Sequence, residues 1–377
     1  MAMEPEIPQR IARFTPLADV LARLDALIEP VAPRMCELAA AAGLTLAADV
    51  VAAAPIPAAA RALRDGWAVA SEATADAGAY APAPLASAAQ VEVGAPLPPG
   101  ADAVAALDAV AVRDGLALAL APVAPGEGVL ATGADAAAGA TLLERGRRLA
   151  RLHVALLAAA GITSVSVRVP RLRLLRARPA NDAVIDAAIA CIADGVAAMG
   201  AIAESVEPNR TANDLASALP NADYDAVVVV GGTGSGRDDR TVRMLASIGE
   251  VHAHGIALLP GETSAFASLR GRPVLVLPGR LDAALAAWHM IGQAMLAGLA
   301  ASREPLRLRT AKLTHKVASM VGFSELVPVR GEHASATPIA SGYVPLSGLA
   351  QANGWVLIPP ESEGYPAGAE VVIRPWP

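Results

Sequence analysis

Cysteine and aromatic residues are scarce in this chain, and positive charge falls short of negative. Two cysteines in 377 residues, Cys36 and Cys191, are too few for a disulfide framework or a zinc site. Each sits in an apolar stretch expected to be helical, which predicts buried free thiols. Aromatics make up 3% of the chain, so the cores must be packed from Ala, Val, Leu and Ile, although 54% of residues are hydrophobic. A net charge of −6 argues against a nucleic-acid surface, because a phosphate backbone demands clustered positive charge. No apolar run approaches the roughly 20 uncharged residues of a spanning helix. The start, MAMEPEIPQR, lacks the basic-then-apolar layout of a signal peptide, so a cytoplasmic protein is expected. The six histidines form no ligand cluster. His252 and His254 lie two apart on an expected strand and share a face, a candidate metal pair without an evident third ligand.

A chain this long outgrows one hydrophobic core, so several domains are expected. Thr15-Pro16 has the layout of a helix start, and Leu17, Val20, Leu21, Leu24, Leu27 and Ile28 recur at helical spacing. A second helix is expected from Met35 to Ala42, ending at Gly43. Between Val50 and about Ala140, short alternations such as Gly66 to Val69 and Gln90 to Val93 are separated by Pro and Gly, which predicts a β-rich insertion. A helix resumes from Leu152 to Ala160.

Strands and helices then alternate. Strands are expected at Arg171 to Leu175, Ala201 to Val206, Ala226 to Val230, Val251 to Ala257 and Pro273 to Leu277. Helices are expected at Asp182 to Met199, Ala212 to Leu219, Asp238 to Ile248 and Leu281 to Leu299. This pattern predicts an α/β domain with a mostly parallel sheet covered on both faces. A small β domain with a last strand at Glu370 to Arg374 closes the chain. The expected boundaries are 14–50 with 141–170 for a helical layer, 51–140 for the insertion, 171–302 for the α/β domain and 303–377 for the C-terminal domain. Arginines cluster at Arg145, Arg147, Arg148 and Arg151, and at Arg171, Arg173, Arg176 and Arg178. Solvated surface is the plainer reading of both clusters, and local anion binding the alternative.

The chemistry points to the segment after Val230: Gly231, Gly232, Thr233, Gly234, Ser235, Gly236, Arg237, Asp238, Asp239. Strand ends of open parallel sheets collect ligands, and a helix starting there turns its N–H groups toward anions. Glycines let backbone approach a phosphate closely, while Thr233 and Ser235 add hydroxyl donors. No Gly-Lys-Ser/Thr follows, so this is not a Walker loop, and the glycine spacing departs from the dinucleotide fingerprint. A purely structural turn is the competing reading. Asp238 and Asp239 suit helix capping, or oxygen ligation of Mg2+. Two further turns, Pro278-Gly279-Arg280 and Leu259-Pro260-Gly261-Glu262, follow other expected strands, so three glycine turns are expected along one sheet edge.

With these residues in view, the chain resembles the molybdopterin molybdenumtransferases, the family of bacterial MoeA and the C-terminal domain of gephyrin. Asp65 to Val69 is similar to the family's D-G-Y-A-V, and Val93 to Val104 to T-G-A-P-x-P-x-G-A-D-A-V. Gly231 to Asp239 is similar to G-G-V-S-V-G-x-x-D, Leu277-Pro278-Gly279 to L-P-G-N-P, and Leu349 to Gly354 to the C-terminal A-N/D-G element. The resemblance implies an elongated homodimer with its cleft built from one subunit's α/β domain and the other's insertion domain. It implies a reaction on adenylylated molybdopterin, molybdate and Mg2+ that releases AMP. It also implies catalytic and metal-binding roles for Asp65 and Asp239, a C-terminal contribution from Ser347, and a molybdoenzyme or other cofactor-pathway partner. Asp65 closing its own turn is the competing reading.

The departures are specific. The family's K-P-G-K lysines are Leu259 and Glu262, its T-G-A-P threonine is Val93, and its L-P-G-N-P asparagine is Arg280. The C-terminal arginine falls near Pro328, the S-T-G-D-E-L strand end near Arg176 to Asn181, and an acidic pair near Arg210-Thr211. Each lost cationic contact costs about 1.5–3 kcal/mol. Arg237, Arg240, Arg280 and Arg210 are new cations near the same strand ends: one reading has them re-form the anion site in altered geometry, and the other leaves them merely solvated. A cofactor-binding paralogue without insertase activity is therefore the alternative to a divergent insertase.

Overall fold

Ala226–Val230 is buried along its whole length, as a β-branched run between turn residues should be. Ala226, Val228 and Val230 enter one core, while Val227 and Val229 enter the core on the opposite face. The structure, a computed structural model, describes residues 9–177, 182–205, 224–236, 239–305 and 308–376.

This strand lies inside a six-stranded sheet, in the order Ile202–Ser205, Arg171–Arg176, Ala226–Val230, Arg272–Leu277, Ala265–Leu269 and Glu250–His254. The first four strands run parallel. The last two are antiparallel additions, so the sheet is mostly parallel, as expected. One face packs on the helices Leu17–Leu27, Ala183–Ala198 and Leu281–Ala300. The helix Thr241–Ile248 contributes Val242 and Leu245 to the other face. Asp182 caps Ala183–Ala198, its carboxylate accepting from the N–H groups of Val184 and Ile185. Leu281–Ala300 is the one described helix long and apolar enough to cross a membrane, and 72% of its most apolar window is buried in the fold, so it is a core helix.

The C-terminal strands Ser324–Glu332, Ser335–Pro338, Arg309–Leu313, Glu370–Pro375 and Gly354–Ile358 pair in a closed ring, a small barrel around Val327, Val329, Val356, Val371 and Ile373. Ile256–Leu259 extends this sheet beside Ser324–Glu332, and Thr15–Pro16 adds to its outer edge. All these elements belong to one compact unit. A second unit, residues 48–145 and 152–165, holds small sheets as the Pro and Gly spacing predicts. In one, Gly66–Val69 lies between Ala89–Val91 and Ala103–Ala105. A Cβ at Gly66 would come within 2.1 Å of the Ala105 carbonyl oxygen, so only glycine fits that strand start. Asp102 accepts hydrogen bonds from the Ser71 N–H (2.6 Å) and hydroxyl (2.7 Å), which hold its pKa below the ordinary carboxylate value.

Several expectations are corrected. Met35 to Ala42 is not a helix but the strand Arg34–Glu37 and a short 3-10 turn, Leu38–Ala40. Cys36 therefore lies on a strand and is half-buried, and Cys191 is exposed, so neither thiol is buried. Pro16 rather than Thr15 stands at the N-cap of Leu17–Leu27, without a side-chain cap bond, because Thr15–Pro16 pairs with Ile256–Leu259 instead. The stretch Val251 to Ala257 is two strands in two different sheets, broken at Gly255, whose φ of +89° no ordinary strand residue adopts. Arg176 is not simply solvated but lies 2.6 Å from Asp186. The expected helix Ala212 to Leu219 lies outside the described residues.

Candidate functional site: a glycine turn at the end of the central strand

Ala226–Val230 and its parallel neighbour Arg272–Leu277 end side by side, and their turns stay together. The Gly231 N–H donates to the Leu277 carbonyl at 2.8 Å, and a Cβ at Gly279 would lie 3.9 Å from the Gly231 Cα. Gly231 and Gly232 have φ values of +98° and +70°. A Cβ at Gly232 would stand 2.1 Å from Thr241 Oγ1 and 2.9 Å from Ala177 Cβ, so both conformation and space demand glycine there. Among the described residues, the backbone N–H groups of Gly232, Thr233, Gly234 and Ser235 have no hydrogen-bond partner. Successive unbonded N–H groups at a strand end form a concavity for an anion.

Four residues hold the turn. Asp239 Oδ2 accepts from the Gly236 N–H at 3.0 Å and lies where a Cβ at Gly234 or Gly236 would intrude. Thr233 is buried, and its Oγ1 lies 3.0 Å from Thr263 Oγ1, so this hydroxyl already has a protein partner. His254 Nε2 lies 2.9 Å from the Thr233 carbonyl oxygen.

A fourth contact set was not legible in the sequence. Gln9, 7% exposed, donates through Nε2 to the carbonyls of Gly232 (2.8 Å) and Gly234 (2.7 Å). Its Oε1 accepts from the Arg243 N–H, 3.4 Å away in the first turn of Thr241–Ile248. In a trans peptide the C=O and the following N–H point in opposite directions. Holding those two carbonyls therefore turns the N–H groups of Thr233 and Ser235 away from Gln9. Nothing in an unpatterned N-terminal segment announces such a role.

The expected row of three glycine turns along one sheet edge needs correction. Leu259-Pro260-Gly261-Glu262 follows the strand Ile256–Leu259, which belongs to the barrel-side sheet. That turn nevertheless delivers Thr263 to Thr233, because it connects directly to Ala265–Leu269 of the six-stranded sheet. Glu262 Oε2 accepts from the Gly261 N–H at 3.1 Å, so the residue in a family lysine position is folded back on its own turn.

Arg280 follows Pro278 and Gly279 and precedes the long helix. Its guanidinium makes two bonds to Asp282, Nε to Oδ1 at 3.0 Å and a terminal nitrogen to Oδ2 at 2.7 Å, and lies 5.0 Å from the centre of the Tyr343 ring. The bonds to Asp282 hold its pKa above the ordinary guanidinium value. Asp282 is buried and also accepts from the Val344 N–H at 2.9 Å, tying the helix start to the barrel-side loop that precedes Ser347. Ser347 is exposed on the short helix Leu346–Leu349. Ser235 is exposed, and so is Arg240, which flanks the start of Thr241–Ile248. Arg237, Asp238, Arg210, Thr211, Asn181 and Arg178 lie outside the described residues.

Asp65 lies in the second unit, is exposed, and accepts from the Val93 N–H at 2.7 Å. His252 and His254 have separate partners: His252 Nε2 lies 2.8 Å from Ser268 Oγ, and a register shift separates Val251 from Ala253. Among the described residues, no group of three or more His, Cys, Asp or Glu side chains is arranged to hold a metal ion.

The chain matches three family patterns in order: "MoeA N-terminal region (domain I and II)" over 15–161, "Probable molybdopterin binding domain" over 172–298, and "MoeA C-terminal region (domain IV)" over 310–376. It is 26% identical to molybdopterin molybdenumtransferase 2 of Mycobacterium tuberculosis, across 90% of this chain and 94% of that protein. A Methanocaldococcus jannaschii protein named for molybdopterin biosynthesis is 27% identical over 152 residues, which cover 40% of this chain and only 36% of that one. The crystal structure of the molybdopterin biosynthesis MoeA protein of Pyrococcus horikoshii is 27% identical, with a TM-score of 0.78, covering 96% of this chain and 99% of that one.

Proposed function

From a chain that belongs to the MoeA family, with its three segments in the family's order, we propose a role in molybdenum cofactor biosynthesis, at the insertion of molybdenum into molybdopterin. The observation that carries this reading is the run of unbonded N–H groups from Gly232 to Ser235 at the end of the central parallel strand. Such a turn recognises a phosphate through backbone rather than lysine. The substrates in this reading are adenylylated molybdopterin and molybdate, and AMP is released. Gly231, Gly232, Gly234, Gly236, Pro278 and Gly279 shape the seat, Ser235 adds an exposed hydroxyl, and Ser347 contributes from the short helix beyond Val344.

Asp239 would offer carboxylate oxygen, the donor type that Mg2+ takes beside substrate phosphates and water, and the family resemblance implies the same role for Asp65. The chemistry such an ion would supply is neutralisation of phosphate charge. The reading includes a homodimer working in the cytoplasm, and sedimentation tests the dimer.

A second reading, a cofactor-binding relative that does not insert metal, is favoured by two observations. Leu259 and Glu262 stand where the family carries lysines, and the Arg280 guanidinium is already committed to Asp282. Incubating the purified chain with adenylylated molybdopterin, molybdate and Mg2+ while following AMP separates the two. AMP release that Asp239→Ala abolishes supports insertion. Saturable pterin binding without AMP supports the carrier, and absence of both overturns the role in this pathway.

A further inference from the structure

The second half of the long helix borders a cavity of about 530 Å3, separate from the glycine turn. Its walls include Met199, Met290 and Trp355, with Arg148, His289 and Arg374 among the polar groups. This size and mixture, apolar walls with a few polar groups, is that of small-molecule sites. His289 stands about 12 Å along the helix from Leu281.

The helix departs from α geometry here. Trp288–Gly292 forms a π turn, a local irregularity frequent at functional sites. Gly292 is obligatory to it, since a Cβ there would fall 2.1 Å from the Trp288 ring. His289 is 6% exposed and lies 6.1 Å from the Trp355 ring centre and 5.4 Å from that of Trp376. Gln293 Nε2 is 2.9 Å from Nδ1, which therefore accepts, so Nε2 carries the proton. Among the described residues, Nε2 is buried without a partner, an arrangement that folded proteins rarely leave unused.

The charged groups differ in how far they are already engaged. Arg148 donates to the Ala198 carbonyl, and Glu304, also on the wall, accepts from the Arg148 N–H at 3.3 Å. Arg374 lies over the Trp355 ring, 4.9 Å from its centre, and has no acidic partner among the described residues. Burial pushes its pKa below the ordinary guanidinium value, as expected of a cation short of compensating charge.

We propose that this cavity binds a small aromatic carboxylate, with its flat body against Met199, Met290 and Trp355 and its carboxylate against Arg374. Thioethers adapt to an aromatic body, and a guanidinium presents a planar fork to a carboxylate.

The test titrates the full chain with 2-naphthoate, its neutral analogue 2-naphthamide and its cationic analogue 2-naphthylmethylamine. Binding is read from the ε-methyl NMR signals of Met199 and Met290, assigned through Met199→Leu and Met290→Leu. Met320, exposed elsewhere, serves as a reference. The expected result is saturable movement of the two wall signals by 2-naphthoate, with the amide about tenfold weaker or worse and no binding of the amine. Arg374→Gln weakens 2-naphthoate by a similar factor, and Arg374→Lys, which keeps the charge and guards against a folding defect, weakens it less. Absence of saturable movement, equal binding of acid and amide, or indifference to both Arg374 substitutions overturns the proposal.

Discussion

As proposed anion sites, the glycine turn after Val230 and the cavity beside His289 are built in opposite ways. The turn is almost all backbone: four N–H groups without partners among the described residues, two positive-φ glycines and carbonyls fastened by Gln9. The cavity is almost all side chain, with a half-buried guanidinium on an indole and an imidazole nitrogen without a partner. A backbone site depends on peptide orientation, so it is broken by changing what fixes the peptides. A side-chain site depends on charge and protonation, so pH and charge-removing substitutions act on it.

The largest effect separating the two regions is expected from Gly232→Ala. The new methyl group meets Thr241 and Ala177 at a positive φ, which costs about 2–4 kcal/mol of stability. Pterin binding is lost, while 2-naphthoate still moves the Met290 signal. Urea unfolding and the two titrations measure this.

Next comes the pH response of the cavity. Burial lowers the His289 pKa from 6.5 to about 4. The unfolded chain therefore binds the extra proton first as pH falls. The stabilisation is complete above about pH 6.5 and is lost progressively toward pH 4, a difference of roughly 3 kcal/mol between those limits. His289→Phe flattens that part of the stability profile, measured by urea midpoints across the window, while Gly232→Ala leaves its shape alone.

Asp282→Ala removes a buried acceptor from Arg280 and from the Val344 N–H, at a cost of about 1.5–3 kcal/mol. It also leaves the Arg280 guanidinium without its acid. Stronger molybdate binding by this variant, measured by calorimetry, would show that the missing family cation can be regained from Arg280.

The smallest expected effect is that of Gln9→Ala, about 1 kcal/mol of stability with pterin affinity reduced a few-fold. Gln9→Glu exceeds it, because a carboxylate would face the carbonyl oxygens of Gly232 and Gly234. Both variants leave 2-naphthoate binding unchanged.

The sequence revealed the parts of the fold in which one local signal dominates. The run Ala226–Val230 between turns is what a doubly buried strand looks like, and Leu281–Ala300 is apolar enough to be a core helix. Arg34–Glu37 reads as helix because its Arg, Met and Glu, and the Leu38 to Ala42 run that follows, favour helix, while its place in a sheet is a tertiary matter. The split at Gly255 was hidden by strand-like residues on both sides, and only partners in two sheets distinguish them. At the candidate site, the glycines, Asp239 and Arg280 stand out as residue types in a pattern. Gln9 does not, since its partners lie 223, 225 and 234 residues away. Thr263 is hidden for the same reason, because its partner Thr233 lies across the sheet boundary.

Backbone amide NMR of the full chain with molybdopterin is the most direct measurement. If the strand-end turn receives the pterin phosphate, the signals of Gly232 to Ser235 move first and saturate together, and Gln9→Glu suppresses the response. Saturable pterin binding that leaves those four amides unmoved would contradict the account.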